Sequence, residues 1–462
     1  MSRARWYRLV LASLVVAAAI GLVDASTSSN LGDDEPVDAT NVPETVAPRD
    51  GITVVTTDSN VWLADDGAGP RQSSEIVAYA ADGDRLYHNG SHDRYWDVDP
   101  SPAGERTVLY TASDHLNGSA CNASTVCTRN VVERVNLTTG AVDRLYQRVT
   151  PFKSSTRWHD VDRIGDGRIV VADIYNDRVF VVDTSTGIVE WAWDAQQHYD
   201  PGSGGPFPRD WTHLNDVEVL ADGRLMVSLR NQDQVVFLDR ETGVVDDWTL
   251  GAEDDYDVLH EQHNPDYIPE ERGGPAVIVA DSENNRVVEY QRTDDGWNRS
   301  WTWSDVRLQW PRDADRLPDG NTLVTDSNGD RVFEVNPEGE VVWSVDVAFP
   351  YEAERLGTGD ESTGGESAAA LGLDSRQATA VGSEGRTRAG LLTEAWLLVK
   401  RLVPGPMLNA VVYVLPGWFG LQAAVSSVLL AGAATTWAAF EWRRASYRIE
   451  LQGPVDLVRE RR

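Results

Sequence analysis

Between residues 51 and 351, short apolar runs alternate with polar turns at a regular spacing. The pattern is clearest in three segments, which begin at His159, His213 and Pro311. Each segment contains an alternating strand, an Asp-Gly turn, an apolar strand, a polar loop and further strands that often contain Trp. The Asp-Gly pairs predict tight β-hairpins and lie at 166–167, 222–223 and 319–320.

Further copies of this pattern extend over the rest of the region. A fourth copy begins near His263, and two weaker copies fit residues 52–93 and 94–149. A period of about 45–55 residues with four strands per copy is typical of a β-propeller. We therefore predict an all-β fold, a six-bladed β-propeller over residues 51–351.

The amino-terminal segment has the pattern of a targeting sequence. Arginines at positions 3, 5 and 8 precede an apolar run from Leu9 to Val23. Such a run is short for a membrane span and suits a signal sequence, with an uncleaved signal anchor as the alternative. We assign residues 1–25 to this segment, and residues 26–50 to a flexible linker.

The chain after the repeats has the composition of a membrane anchor. An uncharged run of residues 416–440 is long enough to span a bilayer, and Arg443 and Arg444 follow it. Because basic residues favour the cytoplasmic side, the propeller is expected outside the cell at the membrane. The remaining assignments are a flexible linker over 352–390, an amphipathic or interfacial segment over 391–415, and a cytoplasmic tail over 441–462. Residues 407–415 could instead belong to a second hydrophobic segment.

The charge balance excludes one class of partner. The chain has 73 acidic and 41 basic residues, a net charge of −32 spread along its whole length. A surface of this kind usually serves solvation at high salt and indicates a halophilic source. A nucleic-acid backbone would be repelled, so we expect no nucleic-acid partner.

Export would affect two kinds of surface residue. Cys121 and Cys127 are too few for a structural zinc site, and in an exported chain we expect them to form a disulfide, with two free thiols as the alternative. Five N-x-S/T sequons indicate possible glycosylation, at Asn89, Asn117, Asn122, Asn136 and Asn298.

Candidate chemistry is concentrated in the later repeats. His159, His213 and His263 each open a repeat, and Arg312 stands near the same place in the last one. Ligands of propellers usually lie at one mouth of the central channel, so these side chains are expected to converge there. Arg230 lies where sister repeats carry Ile174, Ser282 and Ser327, and such a departure from a repeat tends to be functional.

Three motifs resemble the PAPS-independent arylsulfotransferase (arylsulfate sulfotransferase) family. They are W-T-H-L-N-D-V at 211–217, V-S-L-R at 227–230 and E-Q-H-N at 261–264, with R-W-H-D-V upstream at 157–161. The resemblance covers roughly residues 150–350 and implies a six-bladed propeller. Together with the acidic charge and the carboxy-terminal span, it suggests a haloarchaeal, membrane-anchored member. It departs from the family in its carboxy-terminal span and its short spacing between His213 and His263.

The resemblance implies a reaction and roles for individual residues. A sulfuryl group would pass from an aryl sulfate ester to a phenolic acceptor through a sulfohistidine on His263, outside the membrane. His213 and Arg230 would bind the sulfuryl group, and His159, Asn215 and His260 would complete the pocket. The sulfate donor carries its own energy, so no cofactor and no metal is expected.

Two alternatives remain open at this point. A non-catalytic propeller that binds a ligand or partner protein at the cell surface suits the anchor and the sequons equally well. A lyase or hydrolase that uses the three histidines as metal ligands would also explain their convergence.

Overall fold

The computed structural model describes residues 3–30, 51–60, 73–102, 106–121, 126–305, 307–377, 399–400, 402–416, 419, 421–444, 447–450 and 456–459. The chain forms two compact units. One comprises Ala39–Glu384 and Val399–Leu415, and the other comprises Met1–Asp38, Gly385–Leu398 and Pro416–Arg462.

The first unit is a β-propeller of six antiparallel blades, as the sequence predicted. Blade 1 contains β1 (Ile52–Thr57), β2 (Ile76–Tyr79) and β3 (Arg85–Asn89). Blade 2 contains β4 (Arg94–Pro100), β5 (Thr107–Asn117), β6 (Val126–Asn136) and β7 (Val142–Pro151). Blade 3 contains β8 (Trp158–Arg163), β9 (Arg168–Asp173), β10 (Arg178–Asp183) and β11 (Ile188–Asp194).

The last three blades follow the same order from the inside outward. Blade 4 contains β12 (Leu214–Val219), β13 (Leu225–Leu229), β14 (Gln234–Asp239), β15 (Gly243–Val244) and β16 (Leu250–Gly251), which pairs with β14. Blade 5 contains β17 (His263–Ile268), β18 (Ala276–Asp281), β19 (Arg286–Thr293) and β20 (Gly296–Ser304). Blade 6 contains β21 (Pro311–Arg316), β22 (Thr322–Asp326), β23 (Arg331–Val335) and β24 (Val341–Asp346). Short 3-10 helices connect strands at Gly118–Ala120, Ala195–Gln197, Arg230–Gln232, Asp246–Trp248, Glu270–Arg272 and Ser327–Gly329.

The ring is closed by a strand that the sequence did not predict. β25 (Pro350–Leu356) pairs antiparallel with β1, so blade 1 takes its inner strand from the far end of the propeller. A 3-10 turn at Glu361–Gly364, helix α2 (Ala368–Leu371) and β26 (Arg376–Gln377) follow, and β26 pairs with β20. The predicted linker over 352–390 is therefore wrong as far as residue 377; residues 378–390 lie outside the described residues. Its Gly- and Ser-rich composition suggested a linker, but Ser362, Ser367 and Ala368 are buried against the propeller.

Apolar side chains fill the spaces between neighbouring blades. Each of six buried clusters joins two adjacent sheets; for example, Val170 and Trp193 of blade 3 pack with Leu225 and Val236 of blade 4. The predicted hairpins are present, and Gly223 has φ +90°, a conformation that glycine adopts without a Cβ clash. Packing between blades thus holds the inner strands in a fixed ring.

The inner strands carry a repeated acidic pattern that faces the channel. Five of the six have a carboxylate at two positions separated by one apolar residue, namely Asp97 and Asp99, Asp160 and Asp162, Asp216 and Glu218, Asp313 and Asp315, and Glu352 and Glu354. β17 has Asn264 and Asp266 instead. These side chains are buried, apart from the partly exposed Asp162. Burial raises the pKa of Asp160 and of Asp313 to about 7.

Helix α3 (Gly405–Val414) belongs to the same unit as the propeller. Its Asn409 is buried and donates a hydrogen bond to Glu283 (2.8 Å), and Lys400 donates one to the Leu308 carbonyl oxygen (2.7 Å). Polar contacts therefore hold α3 on the propeller, and the interfacial assignment of 391–415 stays a prediction. Residues 391–398 lie outside the described residues.

The second unit contains helices α1 (Arg3–Asn30) and α4 (Leu421–Arg444). Stretches Ala4–Asp24 and Ala423–Arg444 are long and apolar enough to cross a membrane, with mean hydropathies of 2.0 and 1.5. The two helices pack antiparallel: Arg8 pairs with Glu441 (2.6 Å), and Tyr7 stacks on Phe440. This length and composition is weak evidence of a membrane anchor. The short strands β27 (Tyr447–Glu450) and β28 (Asp456–Arg459) form a hairpin after α4.

The structure also places the residues predicted to be modified. Cys121 and Cys127 form a disulfide at the end of blade 2. Asn117 and Asn298 are exposed, whereas Asn89 and Asn136 are partly exposed. Asn122 lies outside the described residues.

Candidate active site

A cavity of about 380 Å³ lies where the loops enter the inner strands. Blades 3 to 6 supply most of its wall, and α3 supplies the rest. The wall combines basic, acidic and aromatic side chains and is lined by Ser154, Ser155, Arg157, Asp210, His213, Arg230, Glu261, His263, Glu283, Trp310, Arg312, Pro406, Ala410 and Tyr413.

The three predicted histidines converge at this place. The ring of His159 lies 5.4 Å from that of His213 and 5.4 Å from that of Tyr351. The ring of His263 lies 6.3 Å from Tyr351 on the other side. His159 and His263 occupy the same inner-strand position of their blades, whereas His213 lies two residues earlier, in the loop that enters β12.

Hydrogen bonds define which nitrogen of His159 and His213 carries a proton. Arg157 donates from Nε to Nε2 of His159 (2.7 Å) and faces Nε2 of His213 (3.4 Å). A guanidinium has no acceptor, so both Nε2 atoms act as acceptors. The proton of His159 is then on Nδ1, facing the Tyr351 hydroxyl (2.6 Å), and that of His213 is on Nδ1, facing Asp210 (2.6 Å).

His263 also carries its proton on Nδ1, but it differs from the other two histidines at Nε2. Its Nδ1 lies 2.9 Å from the Ser282 hydroxyl, which donates to the Pro311 carbonyl oxygen (2.7 Å). Nδ1 therefore carries the proton and donates to Ser282. Among the described residues, no hydrogen-bond partner occupies Nε2 of His263, so its lone pair is available in the cavity.

All three imidazoles are neutral near pH 7. Burial, Arg312 and Arg230 hold the pKa of His263 well below its usual value, and burial and Arg157 do the same for His159. Burial lowers the pKa of His213 to about 4, although Asp210 opposes the change. A neutral imidazole has the free lone pair that a nucleophile needs.

Two of the arginines lack a carboxylate partner. Within the described part of the chain, Arg157 bonds only histidine, and Arg312 lies against aromatic rings, 4.3 Å from Trp310 and 4.9 Å from Tyr351. Arg312 is only 6% exposed, and its Nε has no hydrogen-bond partner. A buried cation without a counter-ion is costly, so this wall favours an anionic ligand.

Arg230 is held differently. Its guanidinium pairs with Glu261 and donates to the Asn231 side chain (3.0 Å), while its Nε has no partner. Its repeat equivalents Ser282 and Ser327 each donate to the carbonyl of the next inner strand. The arginine instead extends into the cavity, which explains its departure from the repeat.

The loops that enter the inner strands have strained backbones. His213 (φ +46°), Glu261 (φ +46°) and Trp310 (φ +61°) adopt the left-handed conformation, which is rare for residues other than glycine. Such strain persists only when the surroundings impose it, and it often occurs at functional sites.

Helix α3 contributes an aromatic side of the cavity. The Tyr413 ring lies 5.3 Å from Trp310 and 5.7 Å from Phe349. The Tyr413 carbonyl accepts a hydrogen bond from Asn60 (2.9 Å). The cavity therefore joins a cationic wall to an aromatic one.

Three predicted pocket residues do not line the cavity. His159 is buried beside it and contacts Arg157 and the ring of His213. Asn215 is buried and donates to the Gln262 carbonyl (2.9 Å), which positions the chain just before His263. His260 stacks on Tyr256 with ring centres 4.0 Å apart and does not line the cavity. It was grouped with the site because it is close to His263 in sequence, but the intervening turn directs it elsewhere.

Several residues of the site were missed from the sequence. Arg157 stands two residues before His159, inside a motif already noted, and Tyr351 occupies the inner-strand position equivalent to His159 and Arg312. Repeat alignment could have found both. Tyr413 comes from outside the repeats, where no sequence signal pointed to the cavity.

The arylsulfotransferase (ASST) family model matches residues 161–290 of this chain. This match supports the family. At the level of the family, the match suggests aryl sulfate sulfotransferase activity, and residues His213, Arg230 and His263 lie within it. No curated protein matches the sequence.

Solved structures with a similar chain path include three bacterial proteins. A Bacteroides caccae protein of unknown function is 10% identical, with 66% of this chain and 99% of that chain covered and a TM-score of 0.46. A putative 6-phosphogluconolactonase from Bacteroides fragilis is 11% identical, with 70% and 100% covered and a TM-score of 0.41. A virginiamycin B lyase from Staphylococcus aureus is 9% identical, with 67% and 88% covered and a TM-score of 0.38. Likeness at this level carries no information on activity.

Proposed function

We propose that this protein transfers a sulfuryl group from an aryl sulfate ester to a phenol through a sulfohistidine on His263. One observation carries the proposal: a neutral imidazole with a free Nε2 lies in a cavity walled by Arg157, Arg230 and Arg312. That combination suits attack on an anionic, electron-poor centre.

The sulfate group would replace the missing counter-ions of the cavity. Arg312 and Arg157 would each bind sulfate oxygens, since a planar guanidinium matches a tetrahedral oxyanion in two-point contact. The Nε–H group of Arg230 would donate a further hydrogen bond to the sulfate. Its guanidinium would give up part of its ion pair with Glu261. The aryl ring would lie against Trp310 and Tyr413, which offer flat apolar faces.

The first half-reaction forms one bond and breaks one bond. Nε2 of His263 attacks sulfur, the sulfur–oxygen bond to the aryl group breaks, and its electron pair leaves on the phenolate. The ring keeps its Nδ1 proton, held by Ser282. Phenols are suitable leaving groups because their pKa is about 10.

His213 is the proton carrier in this scheme. It is neutral in the empty cavity, but a bound sulfate anion favours its protonated form, and Asp210 stabilises the resulting imidazolium. It would give its proton to the departing phenolate. In the second half-reaction it would take the proton of the acceptor phenol, whose oxygen attacks sulfur and frees His263.

The same cavity argues against the metal-ligand alternative. Three guanidinium groups surround the imidazoles and would repel a cation. Within the described residues, the side-chain groups with metal-ligand spacing contain no histidine. We therefore favour covalent catalysis by histidine over a histidine-bound metal.

We propose that α1 and α4 anchor the propeller to the outer face of the cell membrane. Their antiparallel packing brings Arg3, Arg5 and Arg8 to the same end as Arg443 and Arg444. Basic residues favour the cytoplasmic side, so both termini would be cytoplasmic, and α1 would be an uncleaved anchor.

The test uses the full chain in detergent and high salt, with nitrophenyl sulfate as donor. Nitrophenol release that requires added phenol, with a sulfuryl group found on His263 when phenol is omitted, would support the proposal. Release that does not depend on phenol would indicate hydrolysis instead. No release and no labelling in a folded protein, across a panel of aryl sulfates, would favour a ligand-binding propeller.

A further inference from the structure

The interior of the channel has a chemistry unlike that of the cavity. The paired carboxylates of the inner strands meet there, joined by Glu361 from the 3-10 turn that follows β25. Two groups of carboxylate oxygens lie within 4.8 Å of one another: Asp97, Asp99, Glu352 and Glu361, and a second group of Asp266, Asp315 and Glu361. Glu361 belongs to both groups.

Individual oxygens in these groups have no partner. Asp97 Oδ1, Asp266 Oδ1 and Asp315 Oδ2 are buried without a hydrogen bond, in side chains that are 1%, 1% and 2% exposed. The other oxygen of Asp97 accepts from the Val161 backbone (3.1 Å). An unpaired carboxylate oxygen in the interior is costly, because it has lost water and gained nothing in return.

The surroundings supply little positive charge. Glu352 is bound by the Val98 backbone (2.9 Å) and by the Asn264 amide (2.8 Å), which are both neutral donors. No ion pair to Asp97, Asp99 or Glu352 occurs among the described residues. In the described part of the chain, these carboxylates therefore lack a nearby positive charge, which a bound cation would supply.

The geometry suits a hard cation with oxygen ligands. Calcium binds six to eight oxygens at about 2.3–2.6 Å, so two ligands on opposite sides are separated by about 4.6–5.2 Å. Four carboxylates within 4.8 Å meet that requirement. Magnesium prefers a smaller, stricter octahedron and is usually held by one or two carboxylates, so a group of four carboxylates favours calcium.

We propose that Asp97, Asp99, Glu352 and Glu361 bind a calcium ion that secures the closure of the propeller. Glu352 lies on the closing strand β25, Glu361 lies just after it, and Asp97 and Asp99 lie on blade 2. The ion would tie the last inner strand to a blade formed early in the chain. It would be structural, and the proposed sulfuryl transfer would still proceed without a metal.

Calcium binding can be tested on the full chain in detergent. The protein would be purified without chelator, analysed for metal content, stripped with EGTA and then titrated with Ca²⁺ or Mg²⁺ while thermal unfolding is followed. We expect about one calcium per chain and a rise in Tm of roughly 5 °C at Ca²⁺ well above its Kd. No bound calcium, with a Tm unaffected by EGTA and Ca²⁺, would overturn the proposal. Stabilisation by Mg²⁺ alone would overturn the choice of calcium.

Matched variants separate a bound ion from general charge repulsion. Asp99→Asn should lose the calcium-dependent rise in Tm, whereas Glu218→Gln, a channel carboxylate outside both groups, should retain it. If Asp99→Asn does not fold, Glu361→Gln serves the same purpose on a different segment. Equal calcium responses in the ligand variant and in the Glu218 variant would contradict the assigned site.

Discussion

The mouth and the interior of the channel are built from the same strands but carry opposite charge. At the mouth, Arg157 and Arg312 stand among the neutral imidazoles of His159, His213 and His263. One residue further along the same strands, Asp313 and Asp160 begin the paired carboxylates. A propeller repeats its scaffold, and the position along the inner strand decides whether basic or acidic side chains meet.

The comparison extends to histidine, which takes opposite states in two parts of the propeller. His92 lies between Asp114 (2.9 Å) and Glu133 (3.1 Å), and these hydrogen bonds raise its pKa to about 9 although burial opposes them. His263 lies among arginines, and its pKa is well below the usual value. His92 lies in a loop, but its carboxylate partners come from two neighbouring strands, which the local sequence does not show.

Removing the nucleophile should give the largest effect at the mouth. His263→Ala is expected to lower the rate of nitrophenol release by about 10⁴-fold or more, because the covalent step is lost. The control is His260→Ala, a histidine three residues away that does not line the cavity, which should retain most of the activity. Comparable activity in the two folded variants would remove His263 from the mechanism.

Removing the charge of Arg312 at the mouth should have the second-largest effect on activity. Arg312→Met is expected to lower kcat/KM by about 10²–10³-fold, since it removes preorganised charge stabilisation while keeping most of the side-chain volume. Arg312→Lys should recover part of the loss, as the charge returns without the two-point geometry. A folded Arg312→Met protein within about twofold of the wild type would show that the buried arginine does not bind the substrate.

The pH dependence of kcat/KM tests the electrostatics of the mouth. His263 must be neutral to attack, and its pKa is well below the usual 6.5, so activity should stay constant as pH falls to about 5. Protonation of His213 near pH 4 should not by itself lower the rate, because the leaving phenolate takes that proton. Activity should be lost only where His263 gains a proton. At high pH it should fall near 10, because burial and Arg94 lower the pKa of Arg157 to about 10. A midpoint near 6.5 in the acid limb would contradict the buried, arginine-lined environment of His263.

The smallest expected effect concerns stability away from the cavity. His92→Gln should destabilise the fold at pH 7 by about 1–3 kcal/mol, because two buried carboxylates lose a charged donor. The folded pKa of about 9 lies above the unfolded value, so the stabilisation is complete below pH 6.5 and is lost as pH rises through 9. Thermal unfolding of both proteins at pH 6 and pH 10 measures this. An equal difference in Tm at the two pH values would indicate lost packing alone.

Repeat alignment accounts for much of what could be predicted. The Asp-Gly turns and apolar strands have a fixed spacing, so blade number and the shared inner-strand position of His159 and His263 could be read from one sequence. The acidic pairs, D-V-D at 97–99 and at 160–162 among them, were equally visible but were taken for general surface charge. Composition alone cannot distinguish a solvated carboxylate from one that faces a closed channel.

The sequence by itself determined the repeat, the apolar helices and the residue types available at each inner-strand position, because these depend on local periodicity. Only the tertiary structure decided that β25 closes the ring, that α3 with Tyr413 completes the cavity, and that His260 points away from it. It also decided the protonation of each histidine. A pKa depends on burial and on charges brought close from distant parts of the chain, and those distances exist only after folding.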